Sequence, residues 1–238
     1  MHLEPSALWS GSVATITVHH LEHSRSTRVL WLLEELGLEY SMKEYARNPK
    51  TMRAPPELKK VHPLGKAPVV EIEGDMLAES GAILEGVMAR FGDGGLIPAD
   101  EGPARTQYRY WLHYAEGSLM SPLLVKLIFD QLRKAPMPFF IKPIAKGIAG
   151  KVEEAFTHPE LQRHFDFVDG YLGDNEFFAG DAFSAADIQM SYPLEAASER
   201  AGSAYPQGNI KKWLARVQQR PAYVRAVERG GKMPLGAS

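Results

Sequence analysis

The hydrophobic pattern changes period repeatedly through the first third of the chain. Residues 13–20, VATITVHH, are β-branched and roughly alternating, which predicts a strand. From about Ser24 to Leu36 the period lengthens. Val29, Leu30, Leu33 and Leu36 recur at helical spacing, and Leu32 widens the stripe. Gly37 follows as a C-terminal cap. Residues 39–45 read as a second short strand. The segment PPELKKV opens on Pro55 and Pro56 as a short helix that Pro63 ends. Pro68 begins a buried run, PVVEI, and Glu73-Gly74-Asp75 turns it into Met76-Leu77-Ala78 as a hairpin. Ser80 then caps a helix carrying Ile83, Leu84, Val87, Met88 and Phe91. The opening strand–helix–strand unit requires a parallel pair, and the closing hairpin an antiparallel one. The expectation is a small mixed sheet.

Residues 91–102, FGDGGLIPADEG, lack periodicity, so residues 93–102 are read as a linker. Every strong pattern beyond it is helical. Pro103 starts a helix through Tyr108, Trp111, Leu112, Ala115 and Leu119. A Pro-interrupted apolar stretch at 136–143 opens another that runs to about Phe156. Further helices are expected at 158–172, 184–201 and 208–219, with Pro193 kinking or ending its own. Ser184-Ala185-Ala186-Asp187 has the form of a capping box. The Ser hydroxyl would accept the Asp187 amide hydrogen bond and the carboxylate would reach back, with Phe183 placed to staple onto Ile188. The fold class is therefore α/β plus all-α: a mixed-sheet domain at 13–92 and an all-helical domain at 103–229. Residues 1–12 and 230–238 read as tails.

Composition narrows the chemistry. The 238 residues are 45% hydrophobic and 24% charged, and the net charge is 27 − 29 = −2. These are the proportions of a folded globular chain. No basic excess attracts phosphate backbones, so no nucleic-acid partner is expected. Cysteine is absent, which excludes disulfides, iron–sulfur clusters, thiolate zinc sites and a cysteine nucleophile. Any thiol chemistry must use a thiol that the substrate brings. No run of about 18 apolar residues occurs, so no membrane span and no membrane partner are expected. Residues 1–12 contain no Lys or Arg and do contain Glu4 and Pro5, unlike a secretory signal, which points to the cytoplasm. His19, His20 and His23 form HHxxH, but adjacent strand residues face opposite sides, and no carboxylate cluster completes a set. No metal is expected. Gly92, Gly94 and Gly95 lack the helix and lysine of a phosphate loop. Tyr108, Tyr110, Trp111 and Tyr114 read as interdomain core rather than a stacking platform.

Four stretches carry a resemblance: HSRSTRVLWLLEELGLEY at 23–40, RAPPELKKVHPLGKAPV at 53–69, LAES at 77–80 and FSAADI at 183–188. They resemble cytosolic glutathione transferases of the serine type, in particular the fungal and bacterial Gtt group. The likeness runs from about residue 15 to residue 225 with matching order and spacing. It implies a thioredoxin-like glutathione-binding domain followed by a helical bundle, and a homodimer. It also implies glutathione as co-substrate, with no metal or redox cofactor. The reaction would be attack by the glutathione thiolate on an electrophilic, largely apolar co-substrate, with reduction of organic hydroperoxides open to the same site. A free thiol with a pKa of ~8.5 is only about 3% ionised at neutral pH. Lowering that value by about two units asks for ~2.7 kcal/mol, which a helix N-terminus and one or two donors supply.

The resemblance also implies roles for residues. Ser24, four positions before Arg28, matches the activating hydroxyl, with Ser26 the runner-up; read alone, either is a plain helix cap. The Ala67-Pro68 bond would be cis, with Ala67 pairing backbone-to-backbone with the cysteinyl part of glutathione; the alternative is a trans proline opening the strand. Glu79 and Ser80 would hold the γ-glutamyl ammonium and carboxylate. Lys66 and Arg53 are the candidates for the glycine carboxylate, or else solvated surface. Tyr114 and Ser118, at i,i+4 spacing, would line the second-substrate cleft. The rival reading is a non-catalytic glutathione-binding protein on the same scaffold. The presence of Ser24, Ala67-Pro68 and Glu79-Ser80 favours the enzyme.

Overall fold

A computed structural model describes residues 14–200 and 208–231. The first third forms β1 (Ile16–Leu21), α1 (Ser26–Glu35), β2 (Ser41–Tyr45), α2 (Leu58–Val61), β3 (Val69–Ile72), β4 (Asp75–Ala78) and α3 (Ser80–Phe91). The sheet order is β2-β1-β3-β4, with β1 parallel to β2 and antiparallel to β3, and with β3 and β4 paired as a hairpin. The mixed sheet follows the order of elements read from the sequence. Adjacent His19 and His20 diverge on β1. His19 Nδ1 meets the Tyr45 hydroxyl at 2.9 Å and His20 Nδ1 meets Ser26 Oγ at 2.8 Å. Among the described residues, no group of three or more His, Asp or Glu is placed to hold a metal ion.

The rest is helical: α4 (Pro103–Tyr114), a π-helical turn (Ala115–Leu119), α5 (Met120–Lys134), α6 (Lys142–Val152), a second π-helical turn (Glu153–Thr157), α7 (His158–Asp174), α8 (Ala185–Arg200), α9 (Asn209–Gln218) and α10 (Pro221–Gly230). Among the described residues no helix is long and apolar enough to cross a membrane. The expected 1–12 tail lies outside the described residues. Gly230, read as the start of a C-terminal tail, instead closes α10. That helix was not anticipated, although Pro221 at its start and buried Ala222 and Ala226 at i,i+4 mark it. It folds back onto α1, where Arg220 pairs with Glu35 at 2.6 Å and Arg225 with Glu34 at 2.7 Å. Packing of α3, α8 and α10 around α1 explains why Ser26 through Leu33 are all buried. One hydrophobic core runs through both halves, including Val18, Leu30, Trp31, Trp111, Phe178 and Trp213.

Pro193 does not end α8. The helix continues through it, and residues 185–197 are all buried. Burial on every face compensates for the hydrogen bond that the proline removes. The capping box also differs in detail. The Ser184 hydroxyl donates to Asp187 at 3.0 Å instead of accepting, and the Asp187 amide bonds the Ser184 carbonyl. Asp187 also accepts from the amides of Ser184 and Phe178 and from Trp213 Nε1. Burial pushes its carboxyl up to about 6 against these four donors. Phe183 packs on Trp31, ring centroids 5.5 Å apart, beneath the Arg220 guanidinium. The linker is pinned to this corner, because the Ala185 amide donates to the Leu96 carbonyl at 2.9 Å.

Candidate functional site

Four segments enclose a cavity of 220 Å³. Arg25 contributes from the start of α1 and Glu116 from the first π-helical turn. His62, Leu64, Lys66, Ala67 and Pro68 come from the loop after α2. Ala78, Glu79 and Ser80 come from the end of β4 and the start of α3. The β3–β4 register pairs Val69 with Ala78, so the 67–68 and 79–80 dipeptides emerge side by side from one edge of the hairpin. The Ala67-Pro68 peptide is cis, and among the described residues the Ala67 N–H and C=O have no protein partner. Glu79 sits at φ 72°, a backbone conformation that costs a non-glycine residue about 1–3 kcal/mol. The first hydrogen bond of α3 runs from the Ile83 amide to the Glu79 carbonyl at 2.8 Å. The amides of residues 80–82 therefore remain free at the helix start, as an anion site requires.

Ser80 is only 4% exposed, and its oxygen accepts from Arg28 Nη1 at 3.1 Å and from Gln189 Nε2 at 3.5 Å. With both lone pairs engaged, its hydroxyl proton is left to donate. Arg28 is 1% exposed and also holds Glu116 Oε1 at 2.7 Å through the same Nη1. Arg25 Nε donates to both Glu116 oxygens, at 3.0 and 3.1 Å. The two guanidinium carbons each lie 4.9 Å from the Tyr192 ring centroid. Burial pushes the Glu116 carboxyl up, but the Arg28 and Arg25 charges outweigh it and hold the group below its ordinary value. Burial lowers Arg28. For Arg25 burial acts in the same direction, and Glu116 reverses it. The cavity walls carry Arg25 and Lys66 against Glu79 and Glu116, and buried Arg28 backs Ser80 and Glu116.

A family model described as the glutathione S-transferase N-terminal domain matches residues 14–87, and the corresponding C-terminal domain model matches residues 130–221. The chain belongs to the glutathione S-transferase family. It is 39% identical over 228 residues to glutathione S-transferase 1 of Saccharomyces cerevisiae, covering 92% of this chain and 96% of that one. It is 38% identical over 215 residues to glutathione S-transferase 3 of Schizosaccharomyces pombe, covering 90% and 87%. Among solved structures, a glutathione S-transferase from Actinobacillus pleuropneumoniae superposes with a TM-score of 0.74 at 33% identity, covering 92% of this chain and 95% of that one.

In this glutathione S-transferase, Lys66, Ala67, Pro68, Glu79 and Ser80 come together as wall residues of one cavity. Ser24 does not line it. Its side chain is 5% exposed; its oxygen accepts from the Ser26 amide at 3.2 Å and shares a 2.7 Å hydrogen bond with Ser26 Oγ. His23 stands at φ 55° before it, and the turn presents Arg25 to the cavity instead. Arg53 is exposed, its carbonyl accepting from the Asn48 amide, and it is not among the wall residues. Tyr114 and Ser118 line a separate groove of 590 Å³ with Thr106, Arg109, Tyr110, His113 and Gly117. Gly117 and Ser118 of the groove follow Glu116 of the cavity in the same π-helical turn. The Tyr114 hydroxyl is hydrogen-bonded to His164 Nδ1, and burial raises its pKa. Arg25, His62 and Glu116 were not anticipated. Arg25 lies inside the HSRSTR motif, whereas no local motif marks Glu116.

Proposed function

We propose that this glutathione S-transferase binds glutathione in the 220 Å³ cavity and delivers its thiolate to an electrophilic, largely apolar co-substrate. The observation that carries the reading is the side-by-side placement of the unpaired Ala67 main chain and the free N-terminus of α3. The cysteinyl backbone pairs with the Ala67 N–H and C=O. The γ-glutamyl carboxylate takes the Ser80 hydroxyl and the first amides of α3, and the ammonium takes Glu79. Lys66 meets the glycine carboxylate at the other end. The sulfur faces the start of α1, where helix amides and charge favour the thiolate over the thiol. Ser24, bound by the Ser26 amide, sets the first turn of that helix. The co-substrate enters by the groove along α4, past Tyr114 and Ser118. Hydroperoxide reduction uses the same thiolate. The enzyme works as a cytoplasmic homodimer, with glutathione as co-substrate and no further cofactor.

Retention on immobilised glutathione together with conjugation of a generic aryl halide tests this reading. Both are expected. Retention without turnover would favour a glutathione-binding protein of another function, and absence of retention would remove the proposal.

A further inference from the structure

We infer that Arg25 touches the glutathione sulfur and is the catalytic cation of the site; this rests on the glutathione pose proposed above. With the cysteinyl main chain on Ala67 and the γ-glutamyl end on Ser80, the polar walls left for the sulfur are Arg25, His62 and Glu116. His62 belongs to the Lys66 loop, where its Nδ1 accepts from the Leu64 amide at 3.4 Å. A carboxylate repels a thiolate, so Glu116 is unsuited. Arg28 is fully enclosed and turned to Ser80, and Lys66 lies at the glycine end. Ser24, the residue expected to supply a hydroxyl, is buried against Ser26 at the start of α1 and is not among the wall residues. Arg25 uses only its Nε on Glu116, and among the described residues its two Nη groups have no protein partner. Glu116 on one side and the Tyr192 face on the other fix the guanidinium plane in advance. Glu116 is thus a positioning residue.

A guanidinium keeps its protons at neutral pH, so Arg25 is not a base. The thiol proton leaves to water, and Arg25 stabilises the sulfur anion that remains. With an aryl halide, a sulfur lone pair forms the C–S bond, and the halide departs with the electron pair of the broken carbon–halogen bond.

The test compares Arg25→Gln, Arg25→Lys and Ser24→Ala with the parent enzyme. The readouts are thiolate ultraviolet absorbance of bound glutathione against pH, calorimetric glutathione affinity, and kcat and KM with an aryl halide. In Arg25→Gln the bound thiol pKa is expected to rise by about one unit, from about 6.5 to about 7.5, leaving roughly threefold less thiolate at neutral pH. The value of kcat should fall in proportion and recover as pH rises, while glutathione affinity changes by less than about threefold. Arg25→Lys, which keeps the charge, should restore part of the shift. An unchanged thiol pKa in Arg25→Gln overturns the inference. So does a loss of affinity without a pKa shift, which would make Arg25 a carboxylate anchor. A pKa rise confined to Ser24→Ala would return the role to the serine hydroxyl. If the parent enzyme fails to bind glutathione, the proposed function itself falls.

Discussion

Ser80→Ala removes one oxygen from the wall of the cavity, and the structure says what that oxygen does. Both of its lone pairs are occupied, by Arg28 Nη1 at 3.1 Å and Gln189 Nε2 at 3.5 Å, so its proton is available only as a donor. A hydrogen bond to a charged group contributes ~1.5–3 kcal/mol, which corresponds to a loss of roughly 10- to 150-fold in glutathione affinity. The protein itself should lose only about 1 kcal/mol, because Arg28 Nη1 keeps Glu116 at 2.7 Å. Calorimetry with glutathione and with an analogue whose γ-glutamyl carboxylate is an amide separates the terms. The penalty of the substitution should appear with glutathione and largely vanish with the amide. The bound thiol pKa should not move, since the proposed pose puts Ser80 at the γ-glutamyl end and not at the sulfur. An equal penalty for both ligands, or a shifted thiol pKa, would refute the assignment of Ser80 to the carboxylate.

Lys66→Ala should raise the KM for glutathione about fivefold, as expected for a partly solvated charge pair, whereas Arg53→Ala should stay within about twofold; steady-state kinetics on both variants checks the order, and the reverse order would place the glycine end elsewhere. Gly230→Ala should destabilise the fold by about 1–3 kcal/mol in denaturant titration, because the added Cβ collides with Leu30 Cδ1 and comes within 3.0 Å of His20 Cε1 where α10 meets α1. Asp187 ordinarily titrates at 3.8 and stands at about 6 in the folded chain, so the folded state holds a proton that the unfolded state releases within that window. The stability advantage of the parent over Asp187→Asn should therefore shrink as pH rises from 3.8 to about 6, by at most ~3 kcal/mol. An advantage that grows across the window would contradict the sign.

The electrostatic centre of the site spans the whole chain. Arg25 and Arg28 leave α1 one helical turn apart, and one carboxylate from the helical half, Glu116, receives both. The π-helical turn that delivers Glu116 inserts an extra residue into the helix run at the point where it passes the cavity, a common accompaniment of functional sites. The same turn carries Gly117 and Ser118 of the α4 groove, so the cavity and the groove share one backbone feature.

The sequence determined the local elements and the dipeptides at their ends. Period and turn residues placed the order of strands and helices in the first third, and the resemblance picked out the Ala67-Pro68 and Glu79-Ser80 dipeptides that the structure brings together in one cavity wall. What the tertiary structure decided was which side chains meet. Pro193 stays inside α8 because packing on all sides outweighs one missing hydrogen bond, a balance that a local rule does not contain. Helix α10 and its ion pairs to Glu34 and Glu35 join residues nearly two hundred positions apart. Ser24 and Arg25 are neighbours in the chain, and only the sharp turn at His23, with the carboxylate waiting on the far domain, settles which of them faces the cavity. Periodicity reports the faces of single elements; the direction of a turn and the charge opposite it belong to the packed whole.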